Sequence, residues 1–242
     1  MNDLKIFNDV EALIKDLAET ICEVSRKAIR DHGQFNFVLS GGGSPKKLYE
    51  LLAEKFKDNI DWKNTYFFFG DERFVPADDS RRNSVMVKEA LFEPLKINSS
   101  NIFEVDTTGT PEESARNYWD SVSEHFVGKP VKFDFVLLGL GDNSHTASLF
   151  PDTSVLDETE ATIRSIFVQE VDMFRITMTA PLINNAENIA FLVFGEEKSE
   201  AVFHVLEDMS GSIHQYPARL IQSNEKKVQW FLDSSAASKL LK

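Results

Sequence analysis

Four times along this chain a short apolar run stops abruptly at glycine or charge. Phe35–Leu39 leads into Ser40-Gly-Gly-Gly-Ser-Pro45, and Thr65–Phe69 into Gly70-Asp-Glu-Arg73. Phe133–Leu138 leads into Gly139-Leu-Gly141, and Ile189–Phe194 into Gly195-Glu-Glu-Lys198. A largely apolar run of this length reads as a strand buried on both faces, which is what a parallel sheet covered by helices demands. In such a sheet the carboxyl ends of the strands gather along one edge, and that edge is where ligands bind.

The segments between the runs supply the helices. Asp9 to Ile29 carries Val10, Leu13, Ile14, Leu17, Ile21, Val24 and Ala28 on one helical stripe, and Gly33 stops it. Pro45 suits a first helical turn, with Leu48, Leu51 and Leu52 on the face that follows. A charged loop at Asp78–Asn83 precedes a predicted helix over Val85–Phe92. Thr110-Pro-Glu-Glu113 has the form of a capping box opening a helix towards Phe126, and Glu196–Leu206 is also predicted helical. Further strands are expected at Ile102–Val105, Thr162–Val168, Arg175–Thr179 and Val228–Leu232, the last followed by a short terminal helix. There is no internal repeat and no evident linker. The expected fold class is α/β: a single-domain, Rossmann-like three-layer sandwich with a mainly parallel sheet, spanning residues 1–242.

The formal charge is −13 with no basic tract, which argues against nucleic acid or an anionic membrane surface as a partner. An anionic small molecule would have to be held by local cations acting against that global charge. Cys22 is the sole cysteine, so no intramolecular disulfide can form, and its place in an amphipathic segment makes it a packing residue. The first residues do not read as a signal peptide, and no uncharged apolar run approaches the roughly 20 residues of a membrane span. A cytoplasmic protein is expected.

The strand ends carry the chemistry. The triple glycine between a strand and a helix lets backbone N–H groups approach a ligand at the positive end of the helix dipole, a natural anion cradle. It is not a P-loop, because the Gly-Lys-Ser/Thr ending is absent. Asp71 and Arg73 form a carboxylate–guanidinium pair directly after Phe67-Phe-Phe69. His145 follows Gly139-Leu-Gly-Asp-Asn-Ser144, and histidine is the side chain best suited to acid–base work near neutral pH. A dinucleotide reading of that segment fails at Ser144, which stands where a third glycine belongs. His32, His125, His204 and His214 show no paired metal-ligand spacing and read as surface or hydrogen-bonded histidines. No Gly-x-Ser-x-Gly elbow supports a serine hydrolase.

Taken together, these segments resemble the 6-phosphogluconolactonase family of the sugar-phosphate isomerase and deaminase superfamily. The resemblance is carried by Ser40-Gly-Gly-Gly-Ser-Pro-Lys-Lys-Leu-Tyr49, Gly70-Asp-Glu-Arg-Phe-Val-Pro76 and Asn83. It continues through Gly139-Leu-Gly141, His145-Thr-Ala-Ser-Leu-Phe-Pro151, Arg175-Ile-Thr-Met-Thr179 and Phe191-Leu-Val-Phe-Gly-Glu-Glu-Lys198. It implies metal-independent, cofactor-free hydrolysis of a sugar-phosphate lactone by one such domain, acting as a monomer or weak homodimer. By the same resemblance the catalytic residues are His145, Asp71 and Arg73. Gly41, Gly42, Gly43, Ser44, Asn83, Arg175 and Lys198 bind the substrate and its phosphate.

His145 would activate water, and Asp71 would hold Arg73 or sugar hydroxyls. One departure stands out: the family usually has Asp-Gly just before the histidine, where this chain has Asn143-Ser144. Two alternatives share the fold. A glucosamine-6-phosphate deaminase-like isomerase would place a glutamate where Phe150 stands. A silent sugar-phosphate sensor would have no need of His145.

Overall fold

The computed structural model describes residues 2–208, 210–223 and 227–241. The chain begins with β1 (Asn2–Phe7) and α1 (Val10–His32), then β2 (Phe35–Leu39), α2 (Gly43–Lys55), β3 (Thr65–Phe69) and β4 (Asp71–Arg73). Next come α3 (Asn83–Val87), α4 (Glu93–Leu95), α5 (Pro111–His125), β5 (Phe135–Leu138), β6 (Ile163–Val168) and β7 (Met173–Met178). The last elements are α6 (Ala180–Asn184), β8 (Ile189–Val193), α7 (Ser199–Leu206) and β9 (Val228–Asp233).

Local chemistry sets the helix ends. The Asp9 carboxylate accepts from the Ala12 N–H at 2.7 Å, satisfying one free donor of the first turn of α1. Gly33 ends that helix at φ 87°, a left-handed conformation that glycine adopts without a Cβ clash. The capping box of α5 is formed as its sequence predicts: Glu113 N–H donates to Thr110 Oγ1, and the Thr110 N–H donates to Glu113 Oε2.

Six strands form one sheet in the order β1-β9-β8-β5-β2-β3, every neighbouring pair parallel. Alternation along the strands divides the core. Phe35, Phe37 and Leu39 of β2 face the side covered by α1 and α2, together with Phe67, Phe69, Phe135 and Leu137. Val38, Phe68, Val136 and Leu138 face the other side, where α5, α6, α7 and a second sheet pack. That second sheet is three-stranded and antiparallel, in the order β4-β7-β6. From β2 the chain moves outward to β3, then returns to place β5 on the other flank of β2. The loops after β2 and β5 therefore diverge and leave a crevice at the carboxyl ends, the switch point of a doubly wound sheet.

Several expectations need correction. The edge strand β1 was not foreseen; it has only half-buried or exposed residues, with Leu4 and Ile6 facing outward, and rests on backbone pairing with β9. Ile102–Val105 contributes a single bridge from Ile102 to Phe67 rather than a strand. The helix expected over Val85–Phe92 starts at Asn83 and widens to a π turn over Lys88–Phe92 before α4. Pro94 lacks the N–H that would bond back to the Ala90 carbonyl, and the looser turn accommodates that loss. Residues 234–239 form successive turns in place of the terminal helix. Cys22 is a packing residue, buried in the α1 face of the core.

Candidate active site

At the switch point lies a cleft of about 690 Å³. Every residue singled out in the sequence lines it: Gly41, Gly42, Gly43, Ser44, Asp71, Arg73, Asn83, His145, Arg175 and Lys198. They arrive from β2, β4, α3, β5, β7 and β8, so the sheet edge assembles what the sequence scatters.

The first wall is the loop after β2. Tyr49 of α2, fully buried, clamps its entry: the Ser40 N–H donates to Tyr49 Oη at 2.9 Å, and the Tyr49 hydroxyl donates to the Ser40 carbonyl at 2.8 Å. Gly42, at φ 102°, is the N-cap of α2 and offers no side-chain cap. Pro45 has no N–H to give, which leaves the Gly43 and Ser44 amides as first-turn donors at the positive end of the helix. Gly41 has a different task. A Cβ there would sit 1.7 Å from Asn83 Oδ1, so its glycine admits a side chain of the second wall.

That second wall is the β4–β7 pair with α3. The antiparallel register sets Asp71 opposite Thr177 and Arg73 opposite Arg175, while Glu72 points to the other face. Two guanidiniums are thus directly opposed, an unfavourable arrangement that Asp71, beside Arg175, offsets only in part. Both Nε groups are buried without a hydrogen-bond partner among the described residues. Arg73 donates through Nη1 to Asn83 Oδ1 and to the Arg81 carbonyl. Asn83 Nδ2 donates to the Asp71 backbone carbonyl at 2.8 Å and to its Oδ1 at 3.0 Å. Ser148 Oγ donates to Asp71 Oδ2 at 2.6 Å, and Arg175 Nη1 lies 4.0 Å from the same oxygen. Asp71 therefore stands beside Arg175 and reaches Arg73 only through Asn83; of the two tasks expected of it, holding Arg73 is indirect.

Behind this wall sits a carboxylate that sequence reasoning missed. Glu72, 1% exposed, accepts from the Asn83 N–H at 2.7 Å, the Ser84 N–H at 2.9 Å and the Arg73 N–H at 2.8 Å. It caps the first turn of α3 and pairs with buried Arg82, whose Nε is 3.6 Å away. Arg82 in turn donates to Ser84 Oγ, Thr107 Oγ1 and the Val105 carbonyl. The charged loop expected at Asp78–Asn83 is therefore pinned to the interior at its end. A signal was available: period-2 alternation in Asp-Glu-Arg separates Glu72 from its neighbours.

The third wall carries His145. Ser144 and Ala147, flanking the His145–Thr146 pair, take left-handed φ values of 64° and 48°. Thr146 Oγ1 donates to the Gly139 carbonyl, and the Gly141 N–H to the His145 carbonyl, closing the loop on itself. The His145 ring stacks on Phe150 with centroids 3.9 Å apart and planes 15° from parallel. Its Nδ1 lies 2.5 Å from Asn143 Oδ1, and Asn143 Nδ2 donates to Glu170 Oε2 at 2.8 Å. A carboxylate accepts only, so the Asn143 amide nitrogen faces Glu170 and its oxygen faces the imidazole. Nδ1 then carries the proton and Nε2 keeps its lone pair. Burial pushes His145 down to about 4 from the usual 6.5; Asp71 opposes that shift, while Lys198 and Arg175 add to it. The imidazole is neutral at pH 7, the form a general base needs.

Lys198 enters the cleft from the turn after β8, and Lys47 from α2, its Nζ 5.3 Å from the Phe194 ring centroid. Lys47, Ser148 and Glu170 join Glu72 as residues that the sequence reading did not single out. The remaining histidines have partners within 3.1 Å elsewhere: His32 with Asp134, His125 with Asn36, His204 with Asp208 and His214 with Asp157. Among the described residues no helix is long and apolar enough to cross a membrane.

A doubly wound sheet whose switch point combines a helix N-terminus, opposed arginines and a neutral histidine defines an α/β protein whose cleft can hold an anionic small molecule and offer it a base. Comparison with known proteins makes the class specific. The chain belongs to the glucosamine-6-phosphate isomerase/6-phosphogluconolactonase family, whose profile matches residues 8–230. It is 38% identical to a Synechocystis 6-phosphogluconolactonase over 91% of both chains, and 36% identical to one from Nostoc over 98% of both. The structure resembles 6-phosphogluconolactonase from Shewanella baltica at 30% identity, with a TM-score of 0.83 over 96% of this chain and 98% of that one. The Trypanosoma brucei 6-phosphogluconolactonase matches with a TM-score of 0.84 at 27% identity, over 100% of this chain and 99% of that one.

Proposed function

We propose that this protein hydrolyses 6-phospho-D-glucono-1,5-lactone to 6-phospho-D-gluconate, a step of the oxidative pentose phosphate pathway, with His145 as the general base. The observation that carries the reading is the neutral His145 imidazole, its Nε2 without a hydrogen-bond partner among the described residues, in the same cleft as Arg73, Arg175 and Lys198. Nε2 takes a proton from water as the water oxygen attacks the lactone carbonyl carbon. The carbonyl electrons move to oxygen and form the tetrahedral oxyanion. As that collapses, the C–O bond to the ring oxygen breaks, and the imidazolium returns the proton to the departing oxygen.

The phosphate is assigned to the Gly41–Ser44 loop with Arg175 and Lys198. Arg73, held by Asn83 and the Arg81 carbonyl, is a preorganised donor for the oxyanion. Asp71 fixes the frame around Arg175 and Asn83. Phe150, packed flat on His145, leaves an apolar ring where ring-opening chemistry would want a second acid, so the lactonase reading is preferred over an isomerase or deaminase. The proposal includes one domain over residues 1–242 acting as a monomer or weak homodimer in the cytoplasm.

Freshly generated phosphogluconolactone should be hydrolysed by the purified protein well above the spontaneous rate, with chelator present. His145→Ala should lower kcat/KM by about 10²- to 10⁴-fold. Full activity in that variant would overturn the role of His145, and deamination of glucosamine 6-phosphate at a comparable rate would overturn the substrate. Lys198→Ala should chiefly raise KM.

A further inference from the structure

Asn143 is an unusual partner for a catalytic histidine because an amide can face it either way. With Oδ1 toward the ring, Nδ1 holds the proton and Nε2 is a base. With Nδ2 toward the ring, Nδ1 becomes the acceptor, the proton moves to Nε2, and the nitrogen facing the cleft can no longer take a proton from water. Within the loop, the His145 backbone N–H donates to Asn143 Oδ1 at 3.2 Å, a long bond that gives the first orientation a modest preference.

The stronger, charge-assisted constraint comes from another layer of the fold. Glu170 sits in the short turn Gln169–Val171 that joins β6 to β7, and its Oε2 accepts from Asn143 Nδ2 at 2.8 Å. Turning the amide over would set Asn143 Oδ1 against the carboxylate, two acceptors with no hydrogen between them. Glu170 also lines the cleft, so its charge stands near the imidazolium formed during turnover. We propose that Glu170 is a positioning residue: through Asn143 it selects the base tautomer of His145, taking over by relay the part that an aspartate at position 143 would play directly. Since Glu170 is exposed, solvent screens its charge, and orientation of the amide is the larger share of its effect. The inference rests on His145 acting as the base.

The experiment compares Glu170→Ala, Glu170→Gln, Asn143→Asp and the double variant Asn143→Asp/Glu170→Ala, with His145→Ala alongside. Glu170→Ala should lower kcat about 10- to 100-fold with KM within about two-fold, as loss of a residue that orients a reactive imidazole does. Glu170→Gln, which still offers an acceptor to Asn143 Nδ2, should restore most of the rate. In the Asn143→Asp protein no amide remains to be oriented, so the loss on removing Glu170 should shrink at least five-fold. The ¹⁵N shifts of the His145 ring should show Nδ1 protonated in the native protein and a mixture of tautomers in Glu170→Ala.

Equal losses in both backgrounds would mean that Glu170 only supports its turn, and would overturn the proposal. So would an unchanged tautomer in Glu170→Ala. If instead His145→Ala keeps its activity, the base assignment itself is wrong. That failure is distinct, because the tautomer measurement requires no turnover.

Discussion

On the β4–β7 side of the cleft each functional group is fixed by buried polar partners, whereas the third wall stacks its imidazole on Phe150 and leaves its hydrogen bonding to one amide and a carboxylate at the rim. Asp71, Glu72, Arg82, Asn83 and Arg175 are all at most 8% exposed and hydrogen-bonded or ion-paired to one another. His145 relies on left-handed residues on either side and on Asn143, with Glu170 reaching in from another sheet. The difference separates two kinds of sensitivity. Damage to the anion side should register in folding stability as well as in binding, while damage to the base side should register in rate and pH dependence.

The strongest way to break this contrast is at Glu72. Glu72→Gln leaves the Arg82 guanidinium buried without its counter-charge, and urea unfolding should show a loss of about 3 kcal/mol or more. Glu170→Ala, at the rim, should stay within about 0.5 kcal/mol of the native protein in the same measurement. Equal losses would erase the distinction. Next comes Gly41→Ala, whose Cβ must displace Asn83 Oδ1 and with it the tether of Arg73. A displacement on that scale should cost on the order of 10²-fold in kcat/KM.

The pH profile sharpens the other side. Since His145 is held near 4, kcat/KM should stay level well below pH 6.5 and fall about ten-fold per unit only as pH drops through that lower value. Lys198 is one of the charges that lower it, so Lys198→Met should move the acid limb to higher pH. A limb that stays put, or moves down, would contradict the assignment. The smallest effect belongs to Ser144, buried at φ 64° with an unpartnered hydroxyl. Ser144→Gly relieves both, and a gain of about 1 kcal/mol in stability is expected from unfolding curves.

What could be read from the sequence was whatever announces itself locally. The runs Phe35–Leu39 and Thr65–Phe69 fix strands because they are largely apolar on both faces, and Gly33, Thr110 and Pro111 mark helix ends by their own chemistry. Gly41–Ser44, Asp71, Arg73 and Lys198 stood out because glycine or charge follows such a run, whereas Asn83 and Arg175 came from the family resemblance alone. Glu170 carries no signal of that kind: a glutamate in a turn becomes part of the site only through the pairing of β6 with β7 and the approach of that hairpin to the His145 loop. β1 escaped for the opposite reason. Asn-Asp-Leu-Lys-Ile-Phe is half polar, and an edge strand needs only one paired side. The antiparallel sheet was hidden because β4 is three charged residues long, and its strand character comes from β7 rather than from propensity.

The opposed guanidiniums of Arg73 and Arg175 have a consequence for how the protein meets heat. Asp71 offsets their repulsion only in part, and an anionic ligand in the cleft relieves the rest, so occupancy of the cleft and resistance to melting rise together. By mass action, a ligand at about a hundred times its dissociation constant adds roughly 2.7 kcal/mol to the folded state. The phosphorylated sugar would then serve the protein twice, as the molecule it turns over and as a reporter, written into its Tm, of how much of that molecule is present.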